Sequence, residues 1–358
     1  PAMWGDWIYR ALTFLVISCP CALVISIPLS FFAGIGGASN QGVLVKGSNY
    51  LEALASCKYV VFDKTGTMTQ GVFEVAGIHH ATIPEEKLLE YAAMAESYST
   101  HPISKSLLKA YGNTIDKSRI ENVEEISGHG VKAVIDGVQV LAGNDKLMKM
   151  YNVPYQECHS VGTIVHMAID GKYAGHIVIS DMLKPHAKEA INALKKAGIK
   201  QTVMLTGDVK SVADKVASEL NIDKVYSELL PQDKVNKVEE LLSLKQSKEN
   251  LAFVGDGIND TPALSTADVS ISMQDSSDLA RELADITLVS SNLNELVILR
   301  KLAMNVFDRI HANYRFIVAF NSSLIGLGAL GLMSPNTTSL LHNGSTFAIA
   351  ASSTRNYL

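Results

Sequence analysis

Two long stretches of the chain contain no charged side chain. The first extends from Ala11 to Val45 and begins with apolar residues 11–37, more than the ~20 that a helix needs to cross a bilayer. It is too long for a signal peptide and lacks the basic segment that begins one. This pattern predicts a transmembrane helix within residues 1–45.

The second uncharged stretch extends from Phe316 to Thr354 and is interrupted at 334–336 by Ser-Pro-Asn. It predicts a helical hairpin with spans near 316–333 and 338–353. The second span contains His342, Asn343 and other polar residues, which are expensive at membrane depth and often mark an ion path. The alternative is that this tail forms buried helices of a soluble domain.

Nearly all the charge lies between these ends, in residues 46–315. Basic residues flank the apolar stretches on the side of this region, so the positive-inside rule places it in the cytoplasm. They are Lys46, Lys58, Arg300, Lys301, Arg309, Arg315 and Arg355. Residues 293–315 have helical periodicity and are predicted to connect the soluble region to the hairpin.

Three short apolar runs within the soluble region end in acidic loops. Residues 59–62 are followed by Asp63, 202–205 by a loop with Asp208, and 251–254 by a loop with Asp256. Helical patterns at 185–197 and 210–220 lie between the last two runs. Strands that alternate with helices predict an α/β fold with a doubly wound parallel sheet. The three loops should then meet beyond the carboxyl ends of the strands, where such sheets bind ligands.

These loops suit phosphoryl transfer. Asp63 is a candidate carboxylate nucleophile that would form an acyl phosphate, and Asp256 can share a Mg²⁺ ion with it. Thr206 and the Gly207 amide can hold phosphate oxygens, and Lys234 can neutralise charge on the transferred group. A single loop Asp usually caps a helix or a turn, but three acidic loops after three strands favour a site.

Composition narrows the function further. The chain of 358 residues is 47% hydrophobic with a net charge of −5, which argues against a nucleic-acid partner and against disorder. Its four cysteines are too few for a disulfide scaffold. Cys57 and Cys158 are expected to be ordinary reduced thiols, and His79-His80 to be a surface pair.

The chain resembles the heavy-metal, CPx-type branch of the P-type ATPases, which have a haloacid-dehalogenase-like fold. The similarity extends from about Thr13 to Arg355. Its motifs are DKTGT at 63–67, TGD at 206–208, PQDK at 231–234, GDGIND at 255–260 and Cys19-Pro20-Cys21. In Asp181-Met182-Leu183-Lys184-Pro185 the family usually has Arg at position 184, and Lys keeps the charge without the planar fork.

The resemblance assigns roles to particular residues. Asp63 would be phosphorylated, Asp256 and the main chain at Thr65 would hold Mg²⁺ with it, and Asn259 and Asp260 would surround the phosphate. An inserted α+β nucleotide-binding domain would bind ATP through Glu96, His101, Gly128 and Gly130. Read from the residues alone, His101 could equally begin a helix, and the two glycines could form a hairpin turn.

The resemblance also implies a division into domains. Residues 1–45 would form the transmembrane helix, and 293–315 a linker helix before a transmembrane hairpin at 316–358. The phosphorylation domain would be discontinuous, 46–72 and 176–292, around a nucleotide-binding domain at 73–175.

Cys19 and Cys21 are candidate ligands for the transported ion. Pro20 removes a helical hydrogen bond, and local unwinding there would let both sulfurs face one site. Thiolates favour Cu(I), Zn²⁺ or Cd²⁺, whereas isolated apolar cysteines are often plain packing residues. Asn321, His342 and Asn343 are further candidates, and their harder donors extend the choice to Mn²⁺.

The preferred hypothesis is ATP-driven export of a divalent transition metal such as Zn²⁺ or Cd²⁺. A Cu(I) or Mn(II) exporter of the same family remains an alternative, because no family motif identifies the ion. The Tyr-Asn pair and Met-Ser-Ser set of the copper branch are missing. The membrane Lys and the Asp-x-Gly of the zinc branch are missing too. The protein is expected in the plasma membrane with its catalytic domains in the cytoplasm.

Other classes of protein suit the residues less well. A membrane-tethered phosphatase usually has a second Asp two residues after the nucleophile, where this chain has Thr65. A metal sensor or chaperone would leave the phosphate loops without a purpose. No TGE loop of an actuator domain is found, so the chain is expected to be part of a pump and to need the N-terminal spans and that domain as partners.

Overall fold

The computed structural model describes residues 3–99, 101–158, 162–256, 260–290 and 292–358, and of His80 only the main chain. The helices are α1 (Trp4–Ile17), α2 (Cys21–Asn40), α3 (Ser48–Ala55), α4 (Glu85–Ala95), α5 (Pro102–Tyr111), α6 (Asp145–Met150), α7 (Ala187–Lys196), α8 (Lys210–Leu220), α9 (Pro231–Leu244), α10 (Thr261–Thr266), α11 (Asp278–Leu283), α12 (Asn294–Ala329) and α13 (Pro335–Ser353). The strands are β1 (Val43–Val45), β2 (Cys57–Asp63), β3 (Thr69–His80), β4 (Ile120–Ile126), β5 (Gly130–Ile135), β6 (Val138–Gly143), β7 (Thr163–Ile169), β8 (Lys172–Leu183), β9 (Gln201–Leu205), β10 (Lys224–Tyr226), β11 (Asn250–Val254), β12 (Val269–Met273) and β13 (Ile286–Leu288).

The first sheet is the predicted doubly wound sheet. Its seven strands lie in the order β1-β13-β12-β11-β2-β9-β10, and all neighbours are parallel except β1 and β13. Helices cover both faces: Val60 and Phe62 of β2 belong to one core, and Val61 belongs to the other. Burial on both faces explains why the central strands are continuous apolar runs.

The second sheet is inserted between β2 and β9. It is antiparallel, in the order β3-β8-β7-β6-β5-β4, and α4 and α5 pack on one face. β3 and β8 pair along most of their length, from Thr69 beside Leu183 to His80 beside Gly175. Both strands therefore extend beyond the boundaries predicted at 73 and 175.

The N-terminal apolar stretch forms two helices that meet at a break. α1 ends at Ile17 and α2 begins at Cys21, so the chain is unwound around Pro20, as predicted. The most apolar 18-residue window of Trp4–Asn40 has a mean hydropathy of 2.3, and among the described residues this segment alone has the length and apolar composition of a membrane span. β1 differs from the predicted membrane segment 1–45, because it pairs with β13 at the edge of the first sheet.

The C-terminal helices form the predicted hairpin, with one difference. The expected linker at 293–315 and the following span are a single continuous helix, α12, and α13 packs against it. Both helices contact α1 and α2. Because polar residues such as Asn321 and His342 lower their hydropathy, neither helix is apolar enough to be recognised as a span, and their insertion into a membrane stays a prediction.

Candidate functional site

Three carboxylates meet at one edge of the first sheet. Asp63 is the last residue of β2, Asp256 follows β11, and Asp260 precedes α10. Because β2 and β11 are parallel neighbours, their carboxyl ends open at the same edge. One oxygen from each carboxylate lies within 4.8 Å of the others.

Lys234 lies within this carboxylate cluster. Its Nζ is 2.5 Å from Oδ1 of Asp63 and 2.7 Å from Oδ1 of Asp260. The side chain comes from the first turns of α9, which begins with Pro231 and is fixed by the Asp233 carboxylate accepting from the Leu230 N–H at 3.0 Å. Proline at the first helical position and an acid in the first turn are ordinary helix-start signals.

The cluster carries more negative charge than Lys234 balances. Burial and the nearby Asp260 raise the pKa of Asp63 to about 7, although Lys234 opposes the shift. Burial, again with Asp260, raises the pKa of Asp256 to about 6. Crowded, desolvated carboxylates favour either protonation or a bound cation. Oxygen donors of this kind fit Mg²⁺, a hard ion that commonly binds one or two carboxylates.

The loop after Asp63 passes close to Asp256. Gly66 has φ +72°, and a Cβ at this position would collide with the Asp256 carboxylate, so only glycine fits here. Thr65 is exposed at the surface of the loop. Thr67 is fully buried, and its Oγ1 has no hydrogen-bond partner among the described residues.

The loop after β9 joins the same edge. Thr206 is buried, and its Oγ1 accepts a hydrogen bond from the Asp208 N–H at 3.1 Å. The Asp208 carboxylate forms an ion pair with buried Lys64 at 2.5 Å. Lys184 is buried too, and desolvation lowers its pKa, although the negative charges of Asp275 and Asp256 oppose this shift. Asn259 lies outside the described residues.

Sequence reasoning missed two residues of this edge, Lys64 and Thr67. Both belong to the DKTGT motif, which could have drawn attention to them. Their side-chain directions depend on how the loop turns at Gly66, which residue spacing does not reveal.

A cavity lies beside the inserted sheet. It has a volume of about 280 Å³, and the predicted ATP-site residues Glu96, His101, Gly128 and Gly130 all line it. Glu96 is buried and accepts a hydrogen bond from the Ser104 hydroxyl at 2.6 Å. Burial raises the pKa of Glu96, opposed by that hydrogen bond.

The alternative interpretations of these residues hold as well. His101 caps α5, since its Nδ1 accepts from the Ile103 N–H at 3.3 Å. Gly128 has φ +72° in the turn between β4 and β5, and Gly130 lies so close to the main chain of Ala142 and Gly143 that a Cβ would collide there. A helix start and a tight turn thus build one wall of the cavity. Sequence reasoning missed Asn144, whose Nδ2 donates to the Gly128 carbonyl at 2.9 Å.

The cysteine pair lies in the break between α1 and α2. Cys19 and Cys21 have Cα atoms 5.3 Å apart, and their sulfurs are joined as a disulfide. The unwinding at Pro20 therefore brings both sulfurs together, as predicted. When reduced, the same two thiols would face one site.

A polar pair connects the C-terminal helices. Nδ1 of His342 on α13 lies 3.2 Å from Oδ1 of Asn321 on α12. His342 is 2% exposed, and its Nε2 has no hydrogen-bond partner within the described part of the chain. Asn343 is not part of this pair, because it is exposed on the adjacent side of α13.

Comparison with known proteins agrees with this geometry. Residues 57–268 match the haloacid dehalogenase-like hydrolase family. The cadmium, zinc and cobalt-transporting ATPase of Bacillus subtilis (strain 168) is 51% identical over 92% of this chain and 47% of its own length. The zinc-transporting ATPase of Synechocystis sp. is 46% identical over 92% of this chain and 46% of its own.

A solved structure matches along the whole chain. The crystal structure of a zinc-transporting PIB-type ATPase in the E2.Pi state superimposes with a TM-score of 0.87 and 33% identity, over 100% of this chain and 59% of that one. The chain belongs to the haloacid dehalogenase-like hydrolase family, and the relatives and the solved structure that it resembles are metal-transporting ATPases. It spans about half the length of the curated relatives it matches.

Proposed function

We propose that the chain is the catalytic and ion-binding part of a pump that exports a divalent transition metal of the Zn²⁺/Cd²⁺ kind. ATP would drive the export through a phosphorylated Asp63. The observation that carries this proposal is Lys234, buried between Asp63 and Asp260 at the edge where Asp256 also lies. The relative from Bacillus subtilis is a transporter of cadmium, zinc and cobalt, which supports the choice of ion.

The proposed step is in-line transfer of the terminal phosphoryl group of ATP. A carboxylate oxygen of Asp63 attacks the γ-phosphorus, and the bond from that phosphorus to the bridging oxygen breaks, so ADP leaves with the electron pair. Lys234, 2.5 Å from the attacking carboxylate, would neutralise charge on the transferred oxygens. Thr206 and the Gly207 amide would hold the same oxygens, with Asn259 and Asp260 around them.

Asp63, Asp256 and the main chain at Thr65 would hold Mg²⁺. The excess of carboxylates over Lys234 supports a cation there, as does the fit of Gly66 against Asp256. When bound, Mg²⁺ would offset the negative charge of the phosphate and of the carboxylates. Asp208, paired with Lys64, would fix the loop that carries Thr206.

ATP would bind in the cavity of the inserted sheet through Glu96, His101, Gly128 and Gly130. Glu96 would accept hydrogen bonds, and the exposed main chain at Gly128 allows a flat base to approach closely. The proposed nucleotide-binding domain is therefore this sheet with α4 and α5. The first sheet would be the phosphorylation domain.

The transported ion would bind the reduced Cys19 and Cys21, with His342 and Asn321 as further ligands. Two thiolates with an imidazole suit Zn²⁺ or Cd²⁺. The buried, unpaired Nε2 of His342 has a free coordination position within the described chain. Exposed Asn343 becomes the weakest candidate. The helices would lie in the membrane, the sheets would face the cytoplasm, and an actuator domain would be the partner that completes the cycle.

Phosphorylation of the purified chain in lipid nanodiscs tests this proposal. With [γ-³²P]ATP and Mg²⁺, we expect an acid-stable, hydroxylamine-sensitive label that disappears in Asp63→Asn and persists in the exposed control Asp214→Asn. A label of equal strength in Asp63→Asn would refute the assignment. Zn²⁺ or Cd²⁺ should change the labelling in wild type but not in Cys19→Ser, and a response only to Cu⁺ or Mn²⁺ would favour those exporters instead.

A further inference from the structure

A second group of potential metal ligands lies in the inserted sheet. His79 of β3 is directly paired with His176 of β8, and His176 is directly paired with His166 of β7. Residues paired across neighbouring strands point to the same face. Three imidazoles therefore form a row across three strands, and Cys158 from the segment before β7 lies beside the row.

This row occupies the face of the sheet opposite α4 and α5. Val165 and Ile177, the sequence neighbours of His166 and His176, point into the core beneath those helices. Val165 also lines the proposed ATP cavity. Because side chains alternate along a strand, the histidine row and that cavity lie on opposite sides of β7.

The donor atoms of three side chains converge. One ligand atom each of His79, Cys158 and His176 lies within 4.8 Å of the other two. The rings of His79 and His176 stack at 4.8 Å between centroids. Around a tetrahedral ion, donor atoms stand roughly 3.5 Å apart, so a small rotation of exposed His79 and half-buried Cys158 would complete the geometry.

His176 is the fixed member of the group. It is 6% exposed, and its Nδ1 lies 2.9 Å from the Tyr173 hydroxyl, which is also 3.1 Å from Nδ1 of His166. Its Nε2 is buried and has no hydrogen-bond partner among the described residues. A buried nitrogen without a partner is unfavourable, and a bound metal ion would provide the missing partner.

Tyr173 supplies the support that metal-bound histidines usually have. Nδ1–H of His176 can donate a hydrogen bond to the Tyr173 oxygen, and the Tyr173 hydroxyl can in turn donate to Nδ1 of His166. In this tautomer, Nε2 of His176 carries the lone pair that a metal ion needs. Hydrogen bonding at the second ring nitrogen fixes the tautomer and the ring orientation of a ligand.

We propose that His79, Cys158 and His176 bind a borderline-soft divalent ion, with Zn²⁺ as the best match. Two imidazoles and one thiolate are typical zinc ligands, and the fourth position would be open to water. The ion would connect β3 and β8, the strands that lead into and out of the inserted sheet, with the segment carrying Cys158. The site is separate from Cys19 and Cys21 and does not depend on phosphorylation of Asp63.

Cobalt titration of the full chain in nanodiscs tests the site. The background variant Cys19→Ser/Cys21→Ser removes the thiols of the membrane helix. In this background, Co²⁺ should bind with a thiolate-to-cobalt charge-transfer band and the intense visible bands of a tetrahedral ion, to about one ion per chain. Adding Zn²⁺ should bleach both bands.

Variants assign the ligands. Cys158→Ser should abolish the charge-transfer band, and His79→Gln should weaken Co²⁺ binding at least tenfold, since each removes a ligand. Cys57→Ser and the exposed His186→Gln are the matched controls and should leave the titration unchanged. Zn²⁺ should also raise the Tm of the background variant but not that of its Cys158→Ser derivative.

Two results would overturn the proposal. One is the absence of any charge-transfer band in the background variant. The other is an equally strong band after Cys158→Ser. Because none of these measurements requires ATP, a failure here leaves the phosphorylation of Asp63 unaffected, and the reverse also holds.

Discussion

At the scale of single residues, the raised pKa of Asp63 makes the stability of the metal-free chain depend on pH. The pKa rises from 3.8 to about 7 mainly because of burial. Because the pKa is higher in the folded than in the unfolded chain, protonated Asp63 contributes to the free energy of unfolding below pH ~4. This contribution is lost as the pH rises towards 7. Ionised Asp63 therefore destabilises the metal-free fold at neutral pH.

Asp63→Asn should remove this loss. In EDTA, the free energy of unfolding of the variant should exceed that of wild type by up to about 4 kcal/mol above pH 7, and the difference should shrink towards pH 4. Denaturant titrations between pH 4 and pH 8 measure it, with Asp214→Asn as the exposed control. A difference that does not vary with pH would contradict the role of burial.

In the proposed phosphoryl transfer Lys234 would balance the carboxylates, so its removal should be costly. Lys234→Ala should slow phosphorylation by about 10²–10³-fold, as loss of a preorganised charge at a reacting group usually does. Lys237, one turn along α9, pairs with Glu240 at the surface. Lys237→Ala should therefore leave the rate within about twofold. Rapid-quench measurements of the phosphoenzyme compare the two, and equal rates would exclude Lys234 from the site.

At the scale of elements, the break between α1 and α2 allows Cys19 and Cys21 to face one site. Pro20→Ala restores a hydrogen-bond donor and favours a continuous helix, in which residues two apart point to nearly opposite sides. The affinity of Cys19 and Cys21 for Zn²⁺ should therefore fall by on the order of tenfold or more. Pro28→Ala, inside α2, is the matched control. Competition with a zinc-binding dye, in a Cys158→Ser background, measures both, and an unchanged affinity in Pro20→Ala would oppose the need for the break.

Two glycines, one at the start of β5 and one in the turn after it, offer a similar comparison. Gly130→Ala places a Cβ against the main chain of Ala142 and Gly143, whereas Gly137 also has positive φ but has open space around it. Gly137→Ala should cost only the ~1 kcal/mol of the left-handed conformation. Gly130→Ala should cost more and weaken ATP binding. Calorimetric titration with ATP should show a lower affinity for Gly130→Ala alone.

The predictability of these elements follows from their burial. The strands β2, β9 and β11 could be predicted because they are buried on both faces and end at an acidic loop. β1, with three residues, is too short to give a pattern. The predicted division of α12 near Phe316 followed a change in charge, but helix continuity depends on main-chain hydrogen bonds, which continue across that change.

Sites were predictable where a motif fixes the backbone and unpredictable where strand register decides. The carboxylate cluster follows from loops that end parallel neighbours. The histidine row does not. His79 and His80 were expected to be a surface pair rather than a ligand set, and His79 is indeed exposed. The register of β3 against β8 and of β8 against β7 also aligns His79 with His176 and His166, which residue spacing does not reveal. The ion pair of Lys64 with Asp208 likewise connects two loops far apart in sequence.

At the scale of the whole molecule, α12 is a continuous helix that connects the proposed site of the transported ion with the core of the first sheet. Asn321 and Arg300 lie on this one helix, and 21 residues at ~1.5 Å each separate them by roughly 30 Å. Arg300 is 1% exposed and donates from its guanidinium to the Leu54 carbonyl at the end of α3. Burial lowers the pKa of Arg300, opposed by Cys57. A charge is thus held at the junction of α12 with the catalytic core.

Two replacements of Arg300 should separate its contribution to stability from any role in linking Zn²⁺ binding to phosphorylation of Asp63. Arg300→Ala leaves a cavity, which should cost about 2–5 kcal/mol. Arg300→Met fills most of the volume and removes the buried charge, so its loss should be about 1 kcal/mol or less. If the Arg300–Leu54 contact transmits ion binding, Arg300→Met should fold normally and bind Zn²⁺ with wild-type affinity. Zn²⁺ should then no longer alter phosphorylation of Asp63. An unchanged response to Zn²⁺ in folded Arg300→Met would show that the packing of α12, rather than this contact, carries the coupling.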